Sequence, residues 1–566
     1  MFEITLNPGF VCILAAMIAL AAPRMARPAL LVGAAVLALW LMLDREFGAA
    51  MAARQMGLPV VLLNLDALNR IFGIALLLAL IVIGAASGAR RNRAEDAAIL
   101  LLAGGAVSAL FVGDLISFVA AASLSGIGAA WVVFTSPLPN AARSGARLLI
   151  WLGLEGLLFL VGVAFQLSAE AGSSDIVRLD VTTIGGAFIF AALLLRIGAP
   201  LAHVWIKDAI GHASPVGAAA LGVFPAMLGV YALARLFPAE PLLAPIGAVM
   251  AALGAAFAIS EDDLRRASAS GLTAQIGVCA MLIGIGTPLA RAAADAHAFT
   301  IVFAFLTLNL ALGAVVGRLG HARASQLEGV ARVMPLSAAL MLLAGLAAAG
   351  APGLATYVTT TIALDAATQW VNAAPWTIIS GLSPALLIAL MLRPALQAYR
   401  APPGQTARTE APFPMLLATA LAAFFCISIG LAPGWLYGLL PAELSFRPYE
   451  IERTAPQLEL LGTAGAIYLM LRAFKLAAPE RPLRLLDVDA IYRGPAVGAG
   501  RWVGVVLLRV YGAWRGIWDW LVQATGTGLA RLMRSCDQPY RSRLWGAAQF
   551  GTVAVAIALA LLWGRL

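Results

Sequence analysis

The chain has 566 residues, of which 61% are hydrophobic and 12% are charged, and its formal net charge is +9. Because soluble globular domains carry about 25% charged residues, this composition excludes a soluble protein with one apolar core. The charge comes mostly from arginine, and we expect it to reflect membrane topology, so no nucleic-acid partner is predicted. Long apolar runs predict an all-α polytopic membrane protein.

Sixteen apolar runs are long enough to be drawn as spans. The first lacks the basic start and the cleavage site of a signal peptide, so we expect a retained helix. Residues 53–65 are too short to span and contain Gly-Leu-Pro, which favours a small extramembrane hairpin or loop. The predicted spans are about 7–23, 28–44, 67–87, 96–111, 114–134, 148–168, 182–201, 214–237, 242–259, 271–289, 297–317, 334–364, 376–393, 413–438, 459–477 and 546–564.

Arginines are concentrated in the loops after odd-numbered spans, as at Arg90, Arg91 and Arg93, whereas the even loops are more acidic, as at Glu170 and Asp175. Positively charged loops stay in the cytoplasm. We therefore predict a multi-pass protein of the bacterial inner membrane with both chain ends on the non-cytoplasmic side.

The segment Arg501–Met533 is apolar around much of its circumference but is interrupted by charges. We interpret it as a lateral amphipathic helix at the membrane interface, followed by a C-terminal anchor; one more transmembrane helix is the alternative. Its tryptophans favour the headgroup level: Trp502, Trp514, Trp518 and Trp520.

The cysteines are scattered, without a C-x-x-C pair or a histidine at ligand spacing. They are Cys12, Cys279, Cys426 and Cys536. We predict no disulfide, no metal and no cofactor. A hypothesis from another functional class is a redox subunit that binds quinone or metal. No haem motif or nucleotide loop in the sequence supports it.

Two runs are interrupted by glycine and proline: "RIGAPLAHVWIKD" from Arg196 and "AAAGAPGLATYVTTT" from Ala347. Paired broken helices in corresponding positions indicate a transporter-type inverted repeat. The first run continues as "AIGHASPVGAAALGVFPAMLGVYALAR", and further motifs are "GDLISF" from Gly113, "EDDLRRASASGLTAQIG" from Glu261 and "LDVDAIYR" from Leu486.

These motifs resemble those of the antiporter-like membrane subunits shared by respiratory complex I, membrane-bound hydrogenases and Mrp-type multisubunit cation/proton antiporters. The resemblance covers roughly residues 60 to 500 and includes Asp66. Positions in ungapped register with the family signature are His203, Trp205, Asp208, Ala209, Pro215, Val216, Gly229, Val230 and Tyr231.

The resemblance implies about 14–16 transmembrane helices with two inverted five-helix repeats, broken helices 7 and 12, and a lateral amphipathic helix. It also implies proton or cation translocation along a polar axis at mid-membrane, by a carboxylate and lysines. The implied division is 1–95 for helices 1–3, 96–237 for the first repeat (helices 4–8), 242–396 for the second (helices 9–13), 413–477 for helices 14–15, 480–545 for a linker with the lateral helix, and 546–566 for the anchor.

The chain departs from the family where titratable side chains are expected. The family's glutamate of span five falls on Ser123, and its lysine of broken helix seven falls on Arg196, which cannot be deprotonated in a protein. The family's titratable positions in spans eight, eleven and twelve fall on Leu221, Met227, Phe305 and Thr360. We therefore predict that the usual proton path is interrupted in both halves.

Several ionisable residues remain as ion-path candidates. Glu155 lies in mid-span, where a charge must be paired, neutral or hydrated, and its expected partner is Arg196; the pair is either structural or a residual conducting site. His203 and Lys207 lie four residues apart and are followed by His212, so they form either a proton relay or family scaffold. Asp208 lies between them in the sequence.

Other charged residues are expected at span ends. We predict that Asp295 and His297 flank the start of span eleven and that Asp365 ends span twelve, all at the membrane interface. We expect the cluster from Glu261 to Arg266 to hold a solvated loop.

We therefore expect an antiporter-like subunit of a multisubunit cation/proton-translocating complex, degenerate in its proton path and partly structural. The alternatives are a competent proton channel that uses Glu155 and His203, and an energy-coupling subunit of an inorganic-carbon uptake system. The implied partners are other membrane subunits, including antiporter-like ones, lipid, and protons or monovalent cations. In an NADH:quinone oxidoreductase-like or hydrogenase-like complex, the chain would be a non-catalytic membrane subunit.

Overall fold

The computed structural model describes residues 6–55, 58–88, 92–169, 173–399 and 409–474, together with short stretches between 498 and 523. The chain divides into two compact units, Met1–Leu485 and Leu486–Leu566. The first unit contains the helices that the resemblance assigns to membrane spans.

Helices dominate the first unit. In chain order they are α1 Pro8–Ala21, α2 Arg27–Leu43, α3 Ala67–Ser87, α4 Arg93–Phe111, α5 Leu115–Phe134, α6 Ala141–Ser168, α7 Ile184–Ile197, α8 Val204–His212, α9 Pro215–Leu236, α10 Leu243–Ser260, α11 Leu264–Ile285, α12 Pro288–Leu319, α13 Val330–Val333, α14 Pro335–Ala348, α15 Ala355–Thr368, α16 Ala374–Leu386, α17 Arg393–Ala398, α18 Phe413–Leu431, α19 Gly434–Tyr437 and α20 Ile451–Ala473. A π-helical segment joins α16 to α17.

Within the described residues, ten helical segments are long and apolar enough to cross a membrane, and four shorter helices are also apolar. Because the segment from α16 to α17 counts as one of the ten, these fourteen segments correspond to most of the predicted spans. The predicted anchor at 546–566 lies outside the described residues, as do the motif from Leu486 and Lys475.

Several helices begin earlier than the apolar runs do. α11 begins after Asp263, whose carboxylate accepts a hydrogen bond from the Arg265 amide, and α12 begins after Thr287, whose hydroxyl accepts one from the Ala290 amide. An N-cap can precede the first apolar residue by two turns, because the cap satisfies backbone donors independently of hydropathy. The predicted starts of spans ten and eleven were therefore wrong by several residues.

A β-hairpin stands between α2 and α3. Strands β1 Gly48–Gln55 and β2 Leu58–Leu65 pair antiparallel, with Ala50 opposite Leu63. The hairpin predicted for residues 53–65 is confirmed, although its first strand begins earlier, at Gly48. It is a small exception in an otherwise helical fold.

The "GDLISF" motif joins this hairpin to α5. The Asp114 carboxylate caps α5 by accepting from the Ser117 amide and also accepts from the Val61 amide of β2, both at 2.8 Å. At Gly113 a Cβ would meet the Val61 side chain, so the close approach of β2 requires glycine.

The same backbone pairing occurs at the start of α5 and at the start of α11. The Leu115 amide donates to the Ser174 carbonyl at 2.6 Å, and the Leu264 amide donates to the Ala322 carbonyl at 2.9 Å. In both cases the second helix of a group of five is tied to the loop that follows the third. We call α4–α9 the first half and α10–α17 the second half, and this shared pattern supports their relation as repeats.

Each half contains one broken helix. α7 ends at Gly198, which has a left-handed φ of 71°, and the chain re-enters a helix at Val204. α14 ends before Gly350, which also has φ of 71°, and α15 follows from Ala355. The breaks predicted in helices 7 and 12 are confirmed. Glycine stands at both because it adopts this backbone conformation without a steric cost.

The centre and the periphery of the first unit differ in burial. The apolar windows of α9, α11 and α12 are entirely buried, whereas only a third of the α6 window is. Ile150 and Leu157 of α6 are among the exposed large apolar side chains. Such a belt of outward apolar residues is typical of a surface that contacts lipid or another membrane subunit.

In the second unit, residues 508–520 are helical and their side chains are exposed. Trp514 and Trp518 stack with ring centroids 5.9 Å apart, and Tyr511 lies beside Trp514 at 6.5 Å. A helix in the segment Arg501–Met533 is therefore confirmed for these residues.

Candidate functional site

Glu155 of α6 and Arg196 of α7 form a buried ion pair. Arg196 donates from Nε to one carboxylate oxygen at 3.0 Å and from Nη2 to the other at 2.7 Å, and Nη2 also donates to the Ala122 carbonyl of α5 at 3.2 Å. The side chains of Arg196 and Glu155 are 0% and 2% exposed. The contact expected between them is present, and it neutralises the carboxylate in the middle of α6.

Asp208 of α8 is held from two sides. Arg147 of α6 donates to both of its carboxylate oxygens at 2.9 and 2.8 Å, and the Ser144 hydroxyl donates to one of them at 3.0 Å. His212, one turn later, lies 3.3 Å from the other oxygen. Arg147 precedes the predicted span 148–168, but it lies in the second turn of α6, which begins at Ala141.

His203 and Lys207 share one aromatic neighbour. The imidazole of His203 stacks on Phe257 of α10 with centroids 5.3 Å apart, and the Lys207 ammonium lies 4.9 Å from the centroid of the same ring. Lys207 also lies 3.7 Å from a carboxylate oxygen of Glu261. These contacts join the second part of the first broken helix to the start of the second half.

Asp365 lies in the last turn of α15. Arg453 of α20 donates to its carboxylate from Nε at 3.2 Å and from Nη2 at 2.9 Å. The Asp365 side chain is 37% exposed, and Glu450 also pairs with Arg453. Asp365 therefore forms a partly solvated tie between α15 and α20.

The positions at which titratable residues were expected are occupied by packed side chains. Leu221 and Met227 of α9 and Phe305 of α12 are buried at 0–1% exposure, and Thr360 of α15 is buried as well. The side chains of α9 and α12 at these positions are therefore buried and not titratable.

A polar network that the sequence did not predict lies at the break of the second half. The His297 imidazole of α12 lies 2.9 Å from Oε1 of Gln275 and 2.8 Å from the Thr359 hydroxyl, and Nε2 of Gln275 donates to the Ala348 carbonyl at 2.9 Å. An amide oxygen only accepts, so the imidazole donates to Gln275 and accepts from Thr359. The network is complete with a neutral imidazole, and it ties α11, α12 and α15 to the end of α14.

Asp295 and His297 do not flank the start of a helix, as was predicted from the apolar run. Because α12 begins at Pro288, both residues lie about two turns or more inside it, and both are buried. The signal that could have found them was Thr287-Pro288, a hydroxyl N-cap followed by proline at the first helical position.

Metal and redox groups are not indicated in the described part of the chain. There, no three His, Cys, Asp or Glu side chains approach one another closely enough to hold a metal. Cys12, Cys279 and Cys426 are buried free thiols, and Cys536 lies outside the described residues.

Residues 112–384 match the model of the family described as "NADH:quinone oxidoreductase/Mrp antiporter, TM". A probable K(+)/H(+) antiporter protein of Rhizobium meliloti is 28% identical over 229 residues, which are 37% of this chain and 23% of that protein. NAD(P)H-quinone oxidoreductase chain 4 1 of Synechococcus elongatus is 23% identical over 63% of this chain and 70% of its own length. F(420)H(2) dehydrogenase subunit L of Methanosarcina mazei is 30% identical over 31% of this chain and 27% of its own length.

Solved structures share the fold. A chain of the Mrp complex from Dietzia sp. DQ12-45-1b superposes with a TM-score of 0.72 and 19% identity over 98% of this chain and 62% of its own length. A chain of respiratory complex I from Thermus thermophilus superposes with a TM-score of 0.68 and 19% identity over 80% of this chain and 99% of its own.

The fold, the broken helices and these matches define a multi-pass membrane protein of the antiporter-like class. Over residues 112–384 the chain is similar to the membrane subunit family shared by complex I and Mrp antiporters. Its matched segment spans about a quarter of the length of the Rhizobium meliloti and Methanosarcina mazei relatives.

Proposed function

We propose that this chain is a membrane subunit of a multisubunit cation/proton-translocating complex of the Mrp or complex I-like kind, and that it serves chiefly as a structural module. The structural role is supported by the buried contact between Glu155 and Arg196, which is made by two hydrogen bonds. A guanidinium keeps its charge in proteins, so Arg196 cannot take part in proton exchange.

The chemistry of this contact favours a fixed pair. Removing either charge would leave the other buried without a partner, which costs about 3–5 kcal/mol. Protonation of Glu155 removes one charge in the same way, so a proton that arrives at this site destabilises the contact between α6 and α7. The packed side chains of Leu221, Met227 and Phe305 then leave no titratable successor on α9 and α12 at these positions.

The partners we propose are neighbouring membrane subunits, antiporter-like ones included, and lipid. The exposed apolar side chains of α6 support this, because a bundle in water would not expose such a surface. On the arginine bias of its loops, we propose a bacterial inner-membrane protein with both chain ends on the non-cytoplasmic side. The repeated pairing at Leu115 and Leu264 supports the division into repeats at 96–237 and 242–396.

The test is proton flux through the purified complex in liposomes, followed with a pH-sensitive dye. The double variant Glu155→Gln with Arg196→Gln keeps the site uncharged, and we expect its flux to equal that of the parent complex. A protonophore sets the maximum signal, and size-exclusion chromatography confirms assembly. A complex that assembles normally but loses its flux would show that this pair conducts.

A second candidate function is a proton-conducting subunit. It is favoured by the titratable groups that cluster on α8, where His212 contacts Asp208 and Lys207 contacts Glu261. The variant His203→Phe keeps the stacking on Phe257 and removes both ring nitrogens. Loss of flux in an intact complex would establish the conducting role, whereas unchanged flux would support the structural one.

A further inference from the structure

A cavity of about 340 Å³ opens where α3, α9 and α12 meet the segment after α19. Its mouth is formed by exposed residues, among them Arg291, Pro441 and Ala442. Its wall also includes Asp295, which is only 8% exposed. Asp295 lies seven residues after Pro288, so the cavity reaches about 10 Å along α12 from the helix start.

A second void begins on the other side of Asp295. It is bounded by apolar side chains of α3, α9 and α12, including Phe72, Met227 and Val302, and it has no room for a water molecule. Asp295 belongs to the walls of both spaces. The carboxyl group therefore lies between a cavity that has room for water and a void that has none.

The charged and titratable neighbours of Asp295 lie on three helices, α9, α11 and α12. Arg291 lies one turn earlier on α12, and Arg235 of α9 lines the cavity but is bound to Asp66 at 2.5 Å. Cys279 of α11 is the titratable neighbour on the inner side. Within the described part of the chain, Asp295 makes no hydrogen bond or ion pair, and an unpaired carboxylate at this depth is costly unless water or a proton reaches it.

We propose that Asp295 is a proton-loading site that exchanges H⁺ with the aqueous phase through this cavity from one face only. The apolar void beyond Asp295 has no room for water, so a proton taken up at Asp295 returns by the way it came. This inference goes beyond the proposed function, because it requires no flux through the chain and does not depend on the partner subunits.

The first experiment uses a membrane-permeant carbodiimide, which reacts with protonated carboxyl groups, on the full-length protein in its native membranes. Peptide mass spectrometry then locates the adduct. We expect an adduct on Asp295, its loss in Asp295→Asn, and less labelling in alkaline than in acidic buffer. Glu155 is the matched control, because it is also buried but is bound to Arg196; labelling of Glu155 with none on Asp295 would overturn the proposal.

The second experiment tests access and does not require Asp295 to be altered. In a background without native cysteines, Ala294→Cys lines the cavity and Ala298→Cys lines the inner void, one turn apart on α12. A charged, membrane-impermeant thiol reagent should modify the thiol introduced at position 294 from one face and leave the thiol at position 298 unmodified. Equal modification of both introduced thiols, or modification of neither, would contradict access through the cavity from one face of the membrane.

The bound ion is tested by competition. If Na⁺ or K⁺ replaced choline at constant ionic strength and protected Asp295 from the carbodiimide, the site would bind a metal cation, and the assignment to H⁺ would be overturned. We expect no protection. Loss of complex assembly or flux would bear on the proposed function alone, because both labelling experiments are read on this chain.

Discussion

The imidazole of His297 on α12 lies 2.8 Å from the hydroxyl of Thr359 on α15, the helix that follows the break of the second half. Its other nitrogen contacts Gln275 of α11 at 2.9 Å. One side chain therefore fixes three helices around a point at which the backbone leaves helical geometry. In the first half, Arg196 lies on the broken helix itself, just before Gly198, and is bound to Glu155 of α6.

Replacing His297 with leucine should destabilise the protein by about 1–3 kcal/mol, because the oxygen of Gln275 loses its buried donor. The measurement is the thermal unfolding temperature of the purified protein in detergent. The variant His297→Gln, which retains a donor and an acceptor, should lose less. Equal unfolding temperatures for the leucine and glutamine variants would show that the hydrogen bonds contribute nothing.

The pair of Glu155 and Arg196 should behave as one unit. Each single glutamine variant is expected to lose about 3–5 kcal/mol, because the remaining charge is buried alone, and the double variant should lose less than either. The double-mutant cycle is read from chemical unfolding in mixed micelles. Additive losses would mean that the two side chains act independently.

Arg147→Gln should destabilise the contact between α6 and α8 by about 1 kcal/mol, a modest effect because the Arg147 side chain is 40% exposed and screened by solvent. Arg143 is one turn earlier on α6, is exposed, and is the control. Its glutamine variant should unfold at the parent temperature. Equal unfolding temperatures of the two variants would mean that the hydrogen bonds from Arg147 to Asp208 make no net contribution to stability.

Gly247→Ala should separate α10 from α11, because the new Cβ would meet the backbone of Gly277 and Met281. We expect a loss of about 1–3 kcal/mol, typical of overpacking. Gly153 of α6 has no neighbour within 4 Å of an added Cβ and is the control. There alanine should stabilise the helix by up to ~1 kcal/mol. Similar unfolding temperatures in both variants would contradict the close approach.

Hydropathy predicted the fold well where a helix is uniformly apolar. The runs assigned to α3 and α5 agree with the structure within a residue or so, because an aspartate N-cap, Asp66 or Asp114, stands at the start of each apolar run. It failed at α11 and α12, whose first turns contain charged residues such as Arg265 and Arg291. The first turn of α11 is largely buried in protein and Arg291 of α12 is exposed at the mouth of a cavity, so the hydropathy needed to cross lipid does not decide where these two helices begin.

The candidate site was predicted in part for a similar reason. Glu155 and Arg196 could be matched because a charge in mid-span demands a partner and few partners exist in this chain. The contacts of Asp208 with Arg147, and of His297 with Gln275, join elements that lie far apart along the chain. No local pattern connects such residues.

The amino-acid sequence alone determined that this is a helical membrane protein that resembles antiporter-like subunits, with two broken helices and few titratable residues where that family places them. These properties follow from composition, from glycine and from motif spacing, all of which are local. Tertiary structure alone decided which charges neutralise each other and that Asp295 faces a cavity. The charge pairs depend on how α6, α7 and α8 pack, and the cavity depends on how α3, α9 and α12 pack; burial in a bundle is a property of distant segments brought together.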